Sequence, residues 1–443
     1  FTGSITVSLS EEDAQSIYLG GVSGGVEAGS LLDKVLVLAD IELTASDGYE
    51  LDDAVIGGAA GYVFDSNLTD VNVDKTTVHV TTDTLRTAVG GVTGTVDAAS
   101  VLYHNTFTGE IISNTDNVGG LAGYVQEPQV VPNGFVTQAD YALSVNTNNV
   151  KADILGHDHV GGLFGKVFYN ADIENCWVEA DIHGHINVGG LVGYSADSHV
   201  TYGISYSIGS LQGVNYLGGI AGYAYSENDL MDVFSRMGIM IIPETELTPT
   251  VDPNIYAGGI IGYDYGDFSY YNFIYFAGAF NNTSGKTVTI DPISNLMLSP
   301  DFGTSIYFDH DKASFTSVLG TPKTTAELKL QTTYTDFDFT NIWFMDSRFN
   351  QGYAFFDAGF FRIVFDDGTD PFGYLSRYWT KLDAPTPPTK PGYVFGGWFT
   401  DQQFSNPWDF NTDMVENDVT LYAKWTAEIP DTGEAANYGL GFL

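Results

Sequence analysis

Apolar residues along this chain come in short bursts, and glycine pairs punctuate them at nearly regular intervals. The recurring unit reads aliphatic-Gly-Gly-aliphatic-x-Gly, often with Tyr in seventh place. Its eight copies begin at Leu19, Ile56, Val89, Val118, Val160, Val188, Leu217 and Ala257, so successive starts lie 37, 33, 29, 42, 28, 29 and 40 residues apart. A self-similar period of this size predicts a solenoid, in which each unit buries its apolar face only against its neighbours. Between copies run β-branched and aromatic segments such as residues 77–81 (TVHVT) and 200–207 (VTYGISYS), separated by Gly, Asn and Asp. That is the punctuation of strands and turns. No stretch keeps a 3.6-residue apolar period with helix caps. At about 3.3 Å per strand residue, roughly 29 residues close one coil, and stacked coils pair through parallel ladders about 4.8 Å apart. The expected fold class is all-β: a parallel β-helix or solenoid of roughly eight to ten coils.

Within the heptapeptide the first and fourth residues are aliphatic or Ala in every copy. A flat strand would point them to opposite faces. If both face the interior, the chain must bend between them, where the diglycine sits. The pair therefore reads as a corner or bulge at which a Cβ would strike the neighbouring coil. The seventh residue is Tyr62, Tyr124, Tyr194, Tyr223 and Tyr263 in five copies. Stacked coils would align these five in a column, whose plain role is packing and whose sharper role is a ligand-contacting ribbon.

These copies resemble the GLUG motif, found in arrays in bacterial surface proteins and beside immunoglobulin-A peptidases. The resemblance runs from Leu19 to Tyr263. The stretch 321–356, with KTTAELKL, TDFDFTNIWF and NQGYAFF, is similar to segments that close such arrays in large adhesin-like proteins, with Ala354 where Pro is common. That resemblance implies a cap that lays Phe337, Phe339, Ile342, Trp343, Tyr353 and Phe355 over the last open coil. An uncovered sheet edge would otherwise template aggregation.

Near Phe361 the composition shifts. FRIVFDD, LDAPTPPTKPGYVFGGWFTD and NPWDFNTDMVENDVTLYAKW follow. This stretch, to Trp425, resembles the InlB B-repeat or Listeria-Bacteroides repeat, a small β-grasp-like module of secreted Gram-positive proteins. Its motifs here are Pro385 with Pro388, Gly392-Tyr393, Gly397-Trp398, Trp408-Asp409-Phe410 and the closing LYAKW. The alternation in FRIVF and VTLYAKW independently reads as strands, with Trp398, Trp408 and Trp425 as core anchors. Beyond it, Ile429, Pro430, Asp431, Thr432 and Gly433 resemble the LPxTG signal of sortase transpeptidases, with Ile429 in place of Leu. The resemblance implies cleavage between Thr432 and Gly433 and attachment to the wall. The expected domains are a repeat solenoid (1–290), its last coils and cap (291–360), the β-grasp-like module (361–426) and a linker bearing the sorting signal (427–443).

Charge narrows the partners. The 443 residues hold 56 acidic and 16 basic side chains, a formal net charge of -40. Nucleic acid is excluded, because binding it needs Lys and Arg to release counterions, and anionic lipid is disfavoured. No apolar run approaches the roughly 20 residues that cross a bilayer, so no membrane contact is expected. The chain starts at Phe1, with no visible signal peptide, and reads as a mature form or an excerpt. The single cysteine, Cys176, lies in a strand-like run and is expected to be buried and inert.

Catalytic patterns are sparse: the sequence has no HExxH, GxSxG or P-loop. Glycan cleavage on a β-helix would need Asp, Lys or Arg side chains from several coils to converge in a groove; the insertions after Tyr124 and Tyr223 are where its wall could form, but basic partners are scarce. No cofactor is expected, with Ca²⁺ left open at the acidic stretches 47–53 and 366–370, neither of which follows an EF-hand pattern. No metal site is assigned. His157 and His185, which align on adjacent coils with His159 and His183 nearby, are the residues a metal would use. The expectation is a non-enzymatic, extracellular protein at the cell surface or wall of a Gram-positive-type bacterium, an adhesin or stalk binding a protein or glycan. A surface filament or layer built by self-association, or a glycan-active β-helix enzyme, is the alternative.

Overall fold

A computed structural model describes residues 2–9, 16–27, 29–45, 53–82, 87–128, 142–196, 199–225, 227–244, 254–266, 269–296, 301–303, 305–357, 360–376 and 381–428. The chain divides into two units, Phe1–Phe337 and Asp338–Leu443.

The first unit is a parallel β-solenoid. Among the described residues its strands form a 16-stranded long sheet and two 9-stranded short sheets. One coil shows the path. Ala54–Gly57 lies in the first short sheet, Ala60–Phe64 in the second and Asn67–Thr81 in the long sheet, and Thr87–Gly90 starts the next coil. Equivalent heptapeptide positions pair from this coil to the next: Ile56 pairs with Val89, and Tyr62 with Thr95. In the seven copies from Ile56 onward the first and fourth heptapeptide residues both face the interior, as Ile56 and Ala59, Val118 and Leu121, and Val188 and Leu191 are all fully buried, whereas Val22 in the first copy is 44% exposed.

The diglycine makes the corner between the short sheets, and steric contact explains it. A Cβ on Gly57 would lie 2.5 Å from Thr93 Cα, and one on Gly58 would lie 2.1 Å from the Gly91 carbonyl oxygen, both on the following coil. The third glycine guards the other side: a Cβ on Gly61 would lie 2.5 Å from Gly24 O on the preceding coil. Two short sheets thus meet along a crease too tight for side chains.

A ninth coil escaped the sequence pattern because it lacks these glycines. Ile290 pairs with Ala257 and Asp291 with Gly258, so Asp291 and Pro292 occupy the diglycine places and Asn295 the third. No further coil follows in the two short sheets among the described residues, which removes the demand for glycine at the first two places. Asp291 Oδ1 caps the corner by accepting from the Ile293 and Ser294 amides. Asn295 reaches back and donates to Ala257 O and Gly262 O of the preceding coil.

The long strands bend at a second corner, where Asp70, His104, Thr147 and Asn175 hold φ of 52–60°. Such values strain non-glycine residues. Here buried side chains one residue on hold the corner. Asn105 donates to Leu68 O and Asn148 Oδ1, and Asn148 donates to Leu102 O. Cys176 continues this column and is fully buried, its Sγ 3.1 Å from Glu174 O. Toward the end of the unit, Tyr334 and Phe337 pack on Tyr307.

The second unit contains a four-stranded mixed sheet ordered Phe372–Ser376, Phe361–Asp366, Val419–Ala427, Tyr393–Phe399. The two central strands run parallel and the outer pairs antiparallel. Its core holds Ile363, Phe365, Leu382, Trp398, Val415, Leu421 and Ala423. Trp425 Nε1 donates to Asp367 O at 2.9 Å. Phe337 of the expected cap belongs to the first unit, whereas Trp343, Tyr353 and Phe355 belong to the second. There Trp343–Phe344 pairs antiparallel with Phe355–Phe356.

Candidate functional site

The seventh heptapeptide position does form a column on the second short sheet. Reading along it gives Gly25, Tyr62, Thr95, Tyr124, Lys166, Tyr194, Tyr223 and Tyr263. Thr95 and Lys166 interrupt the five tyrosines. Tyr194, Tyr223 and Tyr263 form a continuous run with centroids 5.4 and 5.5 Å apart. Lys166 Nζ sits 5.8 Å from the Tyr124 centroid and 5.5 Å from that of Tyr194, so a cation replaces a ring without breaking the stack. Burial lowers the Lys166 ammonium from its ordinary value and raises the Tyr223 phenol. Tyr62 donates to Glu27, and that hydrogen bond lifts its phenol to about 12.

A second column runs beside it at the position preceding the heptapeptide. Tyr216 packs 4.9 Å from Tyr223, and Tyr256 lies 4.6 Å from Tyr263. His159 lies 5.0 Å from Tyr194. Burial and the nearby Lys166 hold His159 down at about 4, so it is neutral at physiological pH. The sequence pattern missed this column because its residue type changes from coil to coil.

The structure does bring His157 and His185 together. Their rings stack at 5.0 Å with an interplanar angle of 24°. His157 Nδ1 lies 2.8 Å from Asp116 Oδ1, and His185 Nδ1 lies 2.8 Å from Asp158 Oδ1. The same contact is thus built twice, one coil apart. His185 Nε2 lies 3.0 Å from Glu244 Oε1, a residue from the insertion after Tyr223. The hydrogen bond to Asp158 is the main cause that raises His185 to about 9. His159 and His183 stand apart from this pair, His183 contacting Gln212 at 2.6 Å. The carboxylate partners could have been found by aligning DNVGG with DHVGG.

The acidic stretch at 366–370 is a turn whose carboxylates face backbone: Asp366 Oδ1 accepts from Gly368, and Asp367 Oδ1 from Thr369 and Asp370. Of the stretch 47–53, Asp53 is described, and it accepts from Ser16 Oγ. The sorting-signal residues Ile429, Pro430, Asp431, Thr432 and Gly433 lie outside the described residues. Among the described residues no helix is long and apolar enough to cross a membrane.

Residues 363–424 match the model of the Listeria-Bacteroides repeat domain. A Gly-rich membrane protein of Evansella cellulosilytica is 31% identical over 112 residues, 24% of this chain and 13% of that protein. A membrane protein of the same organism is 36% identical over 64 residues, 14% of this chain and 10% of its own length. Internalin H of Listeria monocytogenes is 51% identical over 46 residues, 10% of this chain and 8% of that protein. The chain thus covers only a small part of each of these relatives. Its C-terminal region carries a Listeria-Bacteroides repeat, a domain type of bacterial surface proteins such as internalins.

Proposed function

We propose that this chain is a non-enzymatic protein of the bacterial cell surface, a wall-anchored adhesin or stalk whose stacked coils form a stiff display body. The observation that carries the reading is a Listeria-Bacteroides repeat at residues 363–424 following a long parallel solenoid. The buried polar side chains support it as well. Asn105 and Asn148 spend their hydrogen bonds on joining coils, which suits a scaffold. The GLUG resemblance of the heptapeptides and a sorting role for residues 429–433 belong to the same proposal, with Thr432 as the residue joined to the wall. The partner is an extracellular protein or glycan. Stacked rings in the Tyr194, Tyr223 and Tyr263 run cover one another's faces, so ring edges and hydroxyls are what that column offers a partner.

The test joins three measurements on the full chain. Antibody should label intact cells of the native host. An array of glycans and matrix proteins should return a defined ligand. A glycan panel should remain uncleaved. Labelling only after lysis, or turnover of a panel glycan, would overturn the reading. Mass spectrometry of wall-released protein should find the chain ending at Thr432.

A further inference from the structure

We propose that His157, Asp158, His185 and Asp116 form a transition-metal site, for an ion of the Zn²⁺, Ni²⁺ or Co²⁺ class, that clamps three successive coils together. One ligand atom each from His157, Asp158 and His185 lies within 4.8 Å of the others. His157 Nδ1 is 2.8 Å from Asp116 Oδ1 and 3.6 Å from Asp158 Oδ1, and the latter is 2.8 Å from His185 Nδ1. Donors on a tetrahedral zinc shell with bonds of about 2.0–2.1 Å lie roughly 3.3 Å apart, close to the 2.8–3.6 Å separations of these neighbouring donors, and seating an ion requires the two stacked rings to turn so that both Nδ1 lone pairs converge on it.

The donor set selects the metal class. Imidazole with carboxylate suits Zn²⁺, Ni²⁺ and Co²⁺, whereas Ca²⁺ and Mg²⁺ take oxygen shells. Three carboxylates, Asp116, Asp158 and Glu244, face only two imidazoles, which leaves negative charge for a dication to offset. Glu244 at 3.0 Å from His185 Nε2 stands where an outer carboxylate orients a metal-bound imidazole. The ligands are also held by the coil ladder. The His185 amide donates to His157 O at 2.7 Å, the Asp158 amide to Asp116 Oδ1 at 3.1 Å and the Ile186 amide to Asp158 Oδ1 at 3.2 Å. Side chains of His185 and Asp158 are only 15% and 18% exposed, so the centre of the cluster is sheltered while Asp116 and His157 give it an opening.

The experiment titrates the full chain with Co²⁺, followed by visible absorption, then with competing Zn²⁺. The expected result is one saturable Co²⁺ site with a tetrahedral spectrum, displaced by Zn²⁺. Asp116→Asn, an exposed change, should weaken it at least about tenfold, and the double change His157→Gln with His185→Gln should abolish it. A chain this acidic binds cations diffusely, so the comparison decides. Equal Co²⁺ binding and spectra in wild type and folded Asp116→Asn, or no saturable site at all, would overturn the proposal and leave the cluster as hydrogen bonds between coils.

Discussion

Gly58 lies against the Gly91 carbonyl of the following coil, and a methyl group on Gly58 would sit 2.1 Å from that oxygen. The obstacle is backbone held in a ladder, so it cannot swing aside. Gly58→Ala should therefore cost upward of about 2 kcal/mol, the range of overpacked sites. At Gly203 an added Cβ would meet only Glu174 Cγ at 3.6 Å, so Gly203→Ala should be neutral or stabilising by up to about 1 kcal/mol. Urea unfolding midpoints of the two variants check this. Equal midpoints would mean that the crease is not what demands glycine.

Asn148 is buried and supplies both acceptor and donor to the column at the long-sheet corner. Asn148→Ala should cost about 2–3 kcal/mol, because it strands the Asn105 amide and the Leu102 carbonyl away from water. Hydrogen exchange at the Asn105 amide should speed up in the same variant. Unchanged protection there would argue against the column.

Asp264 is 1% exposed, and burial raises its carboxyl above 3.8 even though Tyr271, Gly266 and Ser269 donate to it. The folded protein then holds this proton more tightly than the unfolded chain. The resulting stability is fully present below 3.8 and is lost as pH rises through the raised folded value. Asp264→Asn removes the charge, so its melting temperature should fall less than that of the wild type as pH climbs from about 4. Parallel melting curves across that climb would count against a raised carboxyl.

In the second unit Trp398 is 4% exposed at the centre of a small core. Trp398→Ala should cost about 3–5 kcal/mol, enough to melt a sheet of this size while leaving the solenoid folded. Exchange mass spectrometry should show protection lost across residues 361–427 and kept in the coils. Loss in both places would mean that the two units unfold together.

The heptapeptide made the coils legible, because its glycines answer to local backbone contact repeated every coil. That contact also explains the miss. Among the described residues no short-sheet coil follows Asp291 and Pro292, so neither place demands glycine and the ninth coil has no glycine signature to read. The tyrosine column was legible in part. A fixed seventh position aligned Tyr62 through Tyr263 and put Thr95 and Lys166 in the same column, but that Lys166 sits between the Tyr124 and Tyr194 rings depends on side-chain placement, which spacing alone leaves undetermined. The stacking of His157 on His185 followed from alignment. Glu244 did not, since it arrives from an insertion with no fixed phase.

By itself, then, the sequence determined the all-β solenoid class, the corner at each diglycine and the separate C-terminal module, since each rests on a short-range rule of sterics or alternation. The tertiary structure alone decided that His159 rests against Tyr194 rather than with the other histidines, and where the long strands turn through left-handed residues such as His104 and Asn175. Those outcomes depend on side chains from different coils competing for the same space, and no local pattern encodes that competition.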